Sequence, residues 1–516
     1  MPKALTHYQF IHSFKIHSFT HSYMEISTQN KRLLFGLKVR RLRHHLDLSF
    51  AELSEATGIS VSYLNEIEKG KKFPKSAKVQ ALAKVLQTTE NELTSTRLPK
   101  SLQPIGDLLQ SNILEEIPLD LFGIEAGKVV ELMATAPVRV GAFISTLIEI
   151  ARKYALQQEN FYAAALRSYQ ELHNNYFEDL ETAASAFANK HRLPFGESFS
   201  LEHLYSILVH EYGYKIDEEG LGRYASLQSF RSVFVPEEKK LFVNKELTDM
   251  QRAFLLAKEI GFNYLNLEPR LYTSSFVKIE TFEHILNNFK AAYFAGALLI
   301  PQENLQRDME EFFALKKWNG QAFLDIMNRY NASPEMFLHR LSNLMSRHFG
   351  LDELFFLRFS NRPGTTRYDL TKELHLSRQH QPYGNAIEEH YCRRWITLWL
   401  LEELYDIQQK GEYTTPIADA QRSRYIGTED EYLCLTIARP AHPTPDTNVS
   451  VTVGFSLNDE LRRKMAFVDD VSIREVSQTC QRCPLTDCKE RAAPPEVLQQ
   501  EAVKQQIAKD LEALNG

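Results

Sequence analysis

Apolar positions recur at helical spacing through the first hundred residues. Leu33, Leu37 and Leu42 are followed by Leu64 and Ile67, then by Val79, Leu82, Ala83 and Leu86. Each set places one apolar stripe toward a common centre, so a handful of short helices can close a small core. Polar residues mark the boundaries. Ser49 and Glu52 form an S-x-x-E capping box, Gly58 supplies a turn, and Ser60 caps a second helix that ends at Gly70. Thr94, Ser95, Thr96, Pro99, Ser101, Pro104 and Gly106 then read as a linker. Helical periodicity returns with Ile144, Leu147, Ile148 and Ala151, with Phe161, Ala164, Ala165 and Tyr169, and with Leu180, Ala183, Ala184 and Phe187. Residues 229–247 alternate about a Pro-Glu-Glu-Lys turn and predict a hairpin. A helix from Thr248 to Leu265 follows, and another from Phe282 to Leu299 stops at Pro301. Segments 353–360, 431–438 and 449–455 predict strands, with a helix over 386–406 between them, which makes the last part α+β.

Charge changes the picture only locally. The chain carries a formal net charge of -6, yet within 31–78 eleven Lys and Arg face five Asp and Glu. A confined positive field beside a two-helix motif is what phosphate contacts require. On the second helix Ser62, Asn65 and Lys69 share the face opposite Leu64 and Ile67, where hydroxyl and amide groups can read base edges. Tyr63, Lys71, Lys72 and Arg43 complete the expected DNA-contacting set. The segment GISVSYLNEIEKGKKFP resembles the recognition helix and basic loop of the XRE family of helix-turn-helix DNA readers. That resemblance implies a transcriptional regulator bound to double-stranded DNA. Because one short helix reads few bases, a homodimer on a two-fold operator is expected.

Length and the remaining composition set outer limits. A chain of 516 residues exceeds one domain, and no apolar run approaches the ~18–20 residues that span a bilayer. Five cysteines, three of them within the last forty residues, do not form a secreted disulfide framework and point to a reduced, cytoplasmic compartment. The first residues lack the features of a signal peptide, and His7, His12, His17 and His21 are too irregularly spaced for a metal arm. The expected organisation is an extension over 1–30, the DNA reader over 31–93, a linker over 94–110, a middle domain over 111–310, a sensor domain over 311–495 and a C-terminal helix over 496–516.

In the middle, QRAFLLAKEIGFNYL and NNFKAAYFAGALLIP after a hairpin resemble the ImmA/IrrE-type zincin-like domain. In active relatives H-E-x-x-H on the first helix binds zinc beside a glutamate base, and the second helix adds a carboxylate. Here Lys258, Glu259 and Phe262 stand in the first motif, and Lys290 stands where the spacing puts the third ligand. An ammonium repels zinc and a phenyl ring offers it no lone pair, so this domain is expected to be a degenerate, non-catalytic α+β scaffold. His210 and Glu211 spell H-E-x-x-Y but have no third ligand nearby in sequence. The alternative is an ImmA/IrrE-type metallopeptidase fused to a DNA-binding domain.

Cys480, Cys483 and Cys488 form a C-x2-C-x4-C run that can bring three thiolates to one point. Cys392 is the expected fourth ligand, with His390 as the other candidate, while Cys434 reads as a buried strand residue. Such a site holds either an iron–sulfur cluster or zinc. The combination of these parts with ASPEMFLHRLSNL, FFLRFSN and the terminal cysteine run resembles the short-chain fatty acyl-CoA regulators, over about 31–495. The resemblance implies a GAF-like α+β sensor that binds acyl-CoA, and a metal or iron–sulfur site at the cysteines. Arg358, Arg362 and Arg367, with Lys372 and Arg378 nearby, can hold phosphates or form a solvated basic face.

Overall fold

Side-chain caps decide where the first helices begin. The computed structural model describes residues 28–95, 158–192, 200–273, 281–376, 389–444 and 446–515. The chain divides into two compact units, 1–156 and 157–516. In the first, α1 (Thr28–His45) is followed by α2 (Phe50–Thr57), α3 (Val61–Glu68), α4 (Ser76–Val85) and α5 (Glu90–Thr94). The Ser49 hydroxyl accepts the Glu52 N–H at 3.2 Å, and the Glu52 carboxylate accepts the Ser49 N–H at 2.8 Å, so the capping box is closed. Phe35, Val39, Leu53, Ile59, Leu64, Ile67, Val79 and Leu82 fill one core shared by the helices.

The second unit begins with α6 (Gln158–Leu172) and α7 (Glu178–Lys190). A small sheet follows, of β1 (Lys215–Asp217), β2 (Ser232–Val235) and β3 (Lys240–Val243) in the order β1-β3-β2. The β2–β3 pair is the expected hairpin. Helices α8 (Asp249–Tyr264) and α9 (Phe282–Leu299) pack on each other. Gly261 lets them approach closely, since a Cβ there would press on Phe294 and the Ala291 backbone.

Helices α10 (Gln302–Phe313), α11 (Gly320–Arg329) and α12 (Pro334–Leu344) lead into a larger mixed sheet. Its strands are β4 (Leu354–Asn361), β5 (Asp369–His375), β6 (Ile417–Tyr425), β7 (Glu431–Pro440), β8 (Asn448–Ser456) and β9 (Ile473–Val476), in the order β5-β4-β8-β7-β6-β9. All neighbours are antiparallel except β6 and β9. Helix α13 (Ile396–Gln409) covers one face, where Tyr432 and Cys434 meet Ile396, Leu400, Leu401 and Leu404. The alternate residues Leu433, Leu435 and Ile437 are equally buried, because α11 and α12 cover the other face. The helix expected over 386–406 begins only at Ile396. Residues 389–395 are not helical, and the Glu389 carboxylate there is held by Arg482 at 2.7 Å and by Thr479 at 2.6 Å.

One buried ion pair ties the expected middle and sensor parts into a single body. Arg340 of α12 donates to Glu181 of α7 at 2.5 and 2.8 Å and to the Ile300 carbonyl at 2.9 Å, while the Tyr293 hydroxyl donates to Glu181 at 2.7 Å. A buried guanidinium needs this full set of partners. Past these elements, α14 (Glu496–Asn515) lies exposed from residue 499 to 513. No helix among the described residues is long and apolar enough to cross a membrane.

Candidate nucleic-acid interface and effector region

The recognition helix is set by its own two faces. Ser60 caps α3 by accepting the Tyr63 N–H, and Gly58 turns with φ 69° between α2 and α3. Leu64 and Ile67 are fully buried, whereas Ser62, Asn65 and Lys69 are exposed. Gly70, at φ +69°, ends the helix and hands the chain to exposed Lys71 and Lys72. Tyr63 is half-buried, with the Lys78 ammonium 4.2 Å from its ring centre. It flanks the reading face.

Two of the eleven cations counted over 31–78 point inward. Arg43 is buried, donating to both Glu68 oxygens at 2.7 and 2.9 Å and to the Leu48 carbonyl at 2.9 Å. Its guanidinium is consumed inside the domain, so Arg43 leaves the DNA-contacting set and becomes the clamp between α1 and α3. Lys38 likewise donates to the Glu92 and Ser95 carbonyls. The positive field is carried by the remaining Lys and Arg. Sequence reasoning also missed Gly36, whose missing Cβ would overlap the Ile67 carbonyl and which therefore lets α1 cross the end of α3.

In the middle of the second unit, the positions that would hold zinc are filled with matched protein groups. Glu259 accepts from Arg270 at 2.5 Å and from the Tyr214 hydroxyl at 3.1 Å, all three side chains being buried. Arg270 also lies 4.1 Å from the Phe262 ring centre. Burial, with Glu259 alongside, pushes the Tyr214 hydroxyl up to about 12. Lys258 donates to Asn288 at 2.6 Å, and its enclosure pushes its ammonium down to about 8. Thus Asn288 of α9 meets the first motif through Lys258. Lys290, two residues on, projects about 200° around the helix from Asn288. The decoy Glu211 pairs with Lys190 at 2.6 Å.

The cysteines converge in part. Cys392, Cys480 and Cys483 are buried, and Cys434 is buried in β7 as expected. Cys480 N–H donates to the His390 carbonyl at 2.8 Å, the Ser477 N–H donates to Cys392 Sγ at 3.4 Å, and the Ala492 N–H donates to Cys480 Sγ at 3.3 Å. Backbone donors aimed at sulfur fit thiolates that ligate a metal. Burial, with Cys480 and Cys483 beside it, pushes the Cys392 thiol up to about 11 when no cation is near. Cys488 is half-exposed and donates to Glu490 at 3.5 Å, while His390 Nδ1 is engaged by Gln481 at 3.1 Å. Among the described residues no three His, Cys, Asp or Glu side chains are already set as the ligands of one ion. The donors suit a soft cation, but three of them are not brought to one point.

The three expected effector arginines do not share a site. Arg358 is held between Glu335 at 3.4 Å and Thr371 at 2.6 Å. Arg362 is exposed, and Arg367 is 67% exposed and pairs with Asp369 at 3.1 Å. Arg378 lies outside the described residues. A small apolar cavity of about 30 Å³ opens instead under α13, lined by Leu357, Trp395, Ile396, Tyr425, Tyr432 and Cys434.

Comparison with known proteins agrees on two domains. A family model described as a helix-turn-helix domain matches residues 34–95, and one described as an IrrE N-terminal-like domain matches 218–342. The second match runs through α10 to α12, past the expected boundary at 310. The chain therefore carries an XRE-type helix-turn-helix followed by an IrrE/ImmA-like domain. No curated protein matches the chain. Among solved structures, a Mycobacterium tuberculosis transcriptional regulator is 19% identical, covering 64% of this chain and 92% of its own, with a TM-score of 0.44. The apo form of the competence regulator ComR from Streptococcus vestibularis is 13% identical, covering 62% and 98%, with a TM-score of 0.12. Neither likeness in shape is close enough to carry an argument.

Proposed function

We propose that this chain is a sequence-specific DNA-binding transcriptional regulator without peptidase activity. The observation that carries the reading is the two-faced α3: Leu64 and Ile67 are anchored in the core while Ser62, Asn65 and Lys69 face solvent together. Lys71 and Lys72 follow directly, placed to meet phosphates. Gel-shift titration of the full chain on its own upstream region tests it. Asn65→Ala and Lys69→Ala should each weaken binding, and unchanged, salt-insensitive binding in both would refute the assignment. The IrrE-like domain favours the peptidase alternative by ancestry. Against that, Lys258 and Phe262 replace the histidines, and Glu259 is committed to Arg270.

Three finer features belong to the same reading. A homodimer would place two α3 helices on one operator. A short-chain acyl-CoA is the effector: the cavity of about 30 Å³ under α13 has room on the scale of two waters and so suits only a short acyl chain. One metal centre, zinc or an iron–sulfur cluster, would be held by Cys480, Cys483 and Cys488 with Cys392 as the fourth ligand, once these side chains close around the ion. Calorimetric titration with acetyl-, propionyl- and butyryl-CoA, with and without operator, tests the effector. An effector must bind the two states unequally, so equal affinity, or no binding, ends that part. Anaerobic purification with metal analysis and an absorption spectrum tests the centre.

A further inference from the structure

Helix α14 carries an apolar stripe that the rest of the fold leaves in water. Val503, Ile507 and Leu511 recur at i, i+4 and i+8, which places them on one face of the helix. They are 59%, 53% and 54% exposed. Every other residue from 499 to 513 is exposed as well, so the stripe is not the edge of a face already packed on the body. A helix of 20 residues that stays exposed along most of its length is marginal in water. Its stripe calls for a cover from outside the fold.

The charges that flank the stripe select the cover. Lys504 and Asp510 stand three residues before and three residues after Ile507, hence about 60° to either side of it. When two copies of the helix lie parallel about a two-fold axis, the left flank of one meets the right flank of the other. Lys504 then faces Asp510 of the second copy, and Asp510 faces its Lys504, at a height difference of about 9 Å that long side chains can bridge. Laid antiparallel, each flank meets itself, Lys504 against Lys504 and Asp510 against Asp510, and like charges repel. Charges beside an apolar seam set partner and orientation in this way. Gln506 steadies Asp510 from one turn before, donating to its Oδ1 at 2.9 Å. The other charges from 499 to 513, Glu501, Lys509 and Glu512, lie about 120° or more from Ile507 and stay on the outer side.

We propose that α14 is the surface through which two copies of this chain associate, as a parallel pair with Val503, Ile507 and Leu511 in the seam, an assignment that rests on the homodimer reading and gives it an interface. A parallel pair about a two-fold axis is closed, so assembly stops at two copies instead of growing into a filament. The seam is short and the association reversible. Joining two chains there raises the effective concentration of the second DNA reader once the first is bound.

Sedimentation velocity of the full chain over a concentration series is the test. A monomer–dimer equilibrium is expected, weakened about tenfold or more by Ile507→Glu. Position 507 is exposed, so thermal melting of the chain should be unchanged by that substitution. Orientation is read by exchanging charges at low salt, where such pairs count most. Lys504→Glu should weaken the dimer, and Lys504→Glu combined with Asp510→Lys should restore it. Indifference to both refutes the parallel arrangement. A dimer that survives Ile507→Glu overturns the proposal and leaves the homodimer reading to another interface. A wild-type chain that stays monomeric at every concentration, with and without operator DNA, ends both and leaves the stripe to a different partner.

Discussion

Helices α3 and α8 both carry a short motif that sequence alone reads as chemistry, but they use it in opposite ways. On α3 the polar residues Ser62, Asn65 and Lys69 point to solvent. On α8 Lys258, Glu259 and Phe262 turn inward and find Asn288, Arg270 and Tyr214. The difference lies in what answers the charge. Where a metalloenzyme would use a bound cation, α8 has an arginine at 2.5 Å from the glutamate. The α3 face stays open to partners, while the α8 motif is closed by internal pairing.

Breaking the internal pair should have the largest effect. Glu259→Ala leaves the buried Arg270 guanidinium without its counter-charge and should cost about 3–5 kcal/mol in urea denaturation. A near-neutral result would mean that the site is open after all. The outward face should behave conversely: Asn65→Ala should weaken operator binding by about 1–3 kcal/mol with stability unchanged. Lys69→Gln should lower affinity across all sequences and reduce the salt slope by about one. Ser60→Ala, which removes the α3 cap, should destabilise the first unit by about 1 kcal/mol, measured by thermal melting.

A further effect is one of pH and concerns α8. Lys258 titrates at about 8 in the fold against 10.5 in the unfolded chain. Between those values the unfolded state holds the extra proton, so stability rises with pH, and the cost of the charged lysine is fully present below about 8. Replacing Lys258 by Met should flatten the rise in denaturation series at pH about 7.5 and 9.5. The same slope in wild type and variant would place Lys258 in ordinary solvent.

Local chemistry was legible in the chain, and long-range pairing was not. Ser49, Ser60 and Thr248 announce helix starts because a cap bonds within three residues, and Pro301 announces a stop. Arg43 misleads because its partner, Glu68, is one helix away in space but 25 residues away in sequence. Strand β6, IADAQRSRY, is hidden by its polarity: Gln421, Arg422 and Ser423 are buried, with Gln421 donating to the Arg394 carbonyl and Arg422 pairing with Glu431. Those partners are supplied only by the folded sheet.

Gly36 gives the first unit a mechanical reference point. The backbone of α1 rests against the Ile67 carbonyl with no room for even one carbon atom. The tilt of the reading helix is therefore gauged by bare main chain, which has no rotamers through which to yield. A methyl group at position 36 would act as a shim under one end of α3. It would swing the far face, where Ser62 and Asn65 sit, through a distance that base-edge contacts would register even though neither residue had been altered.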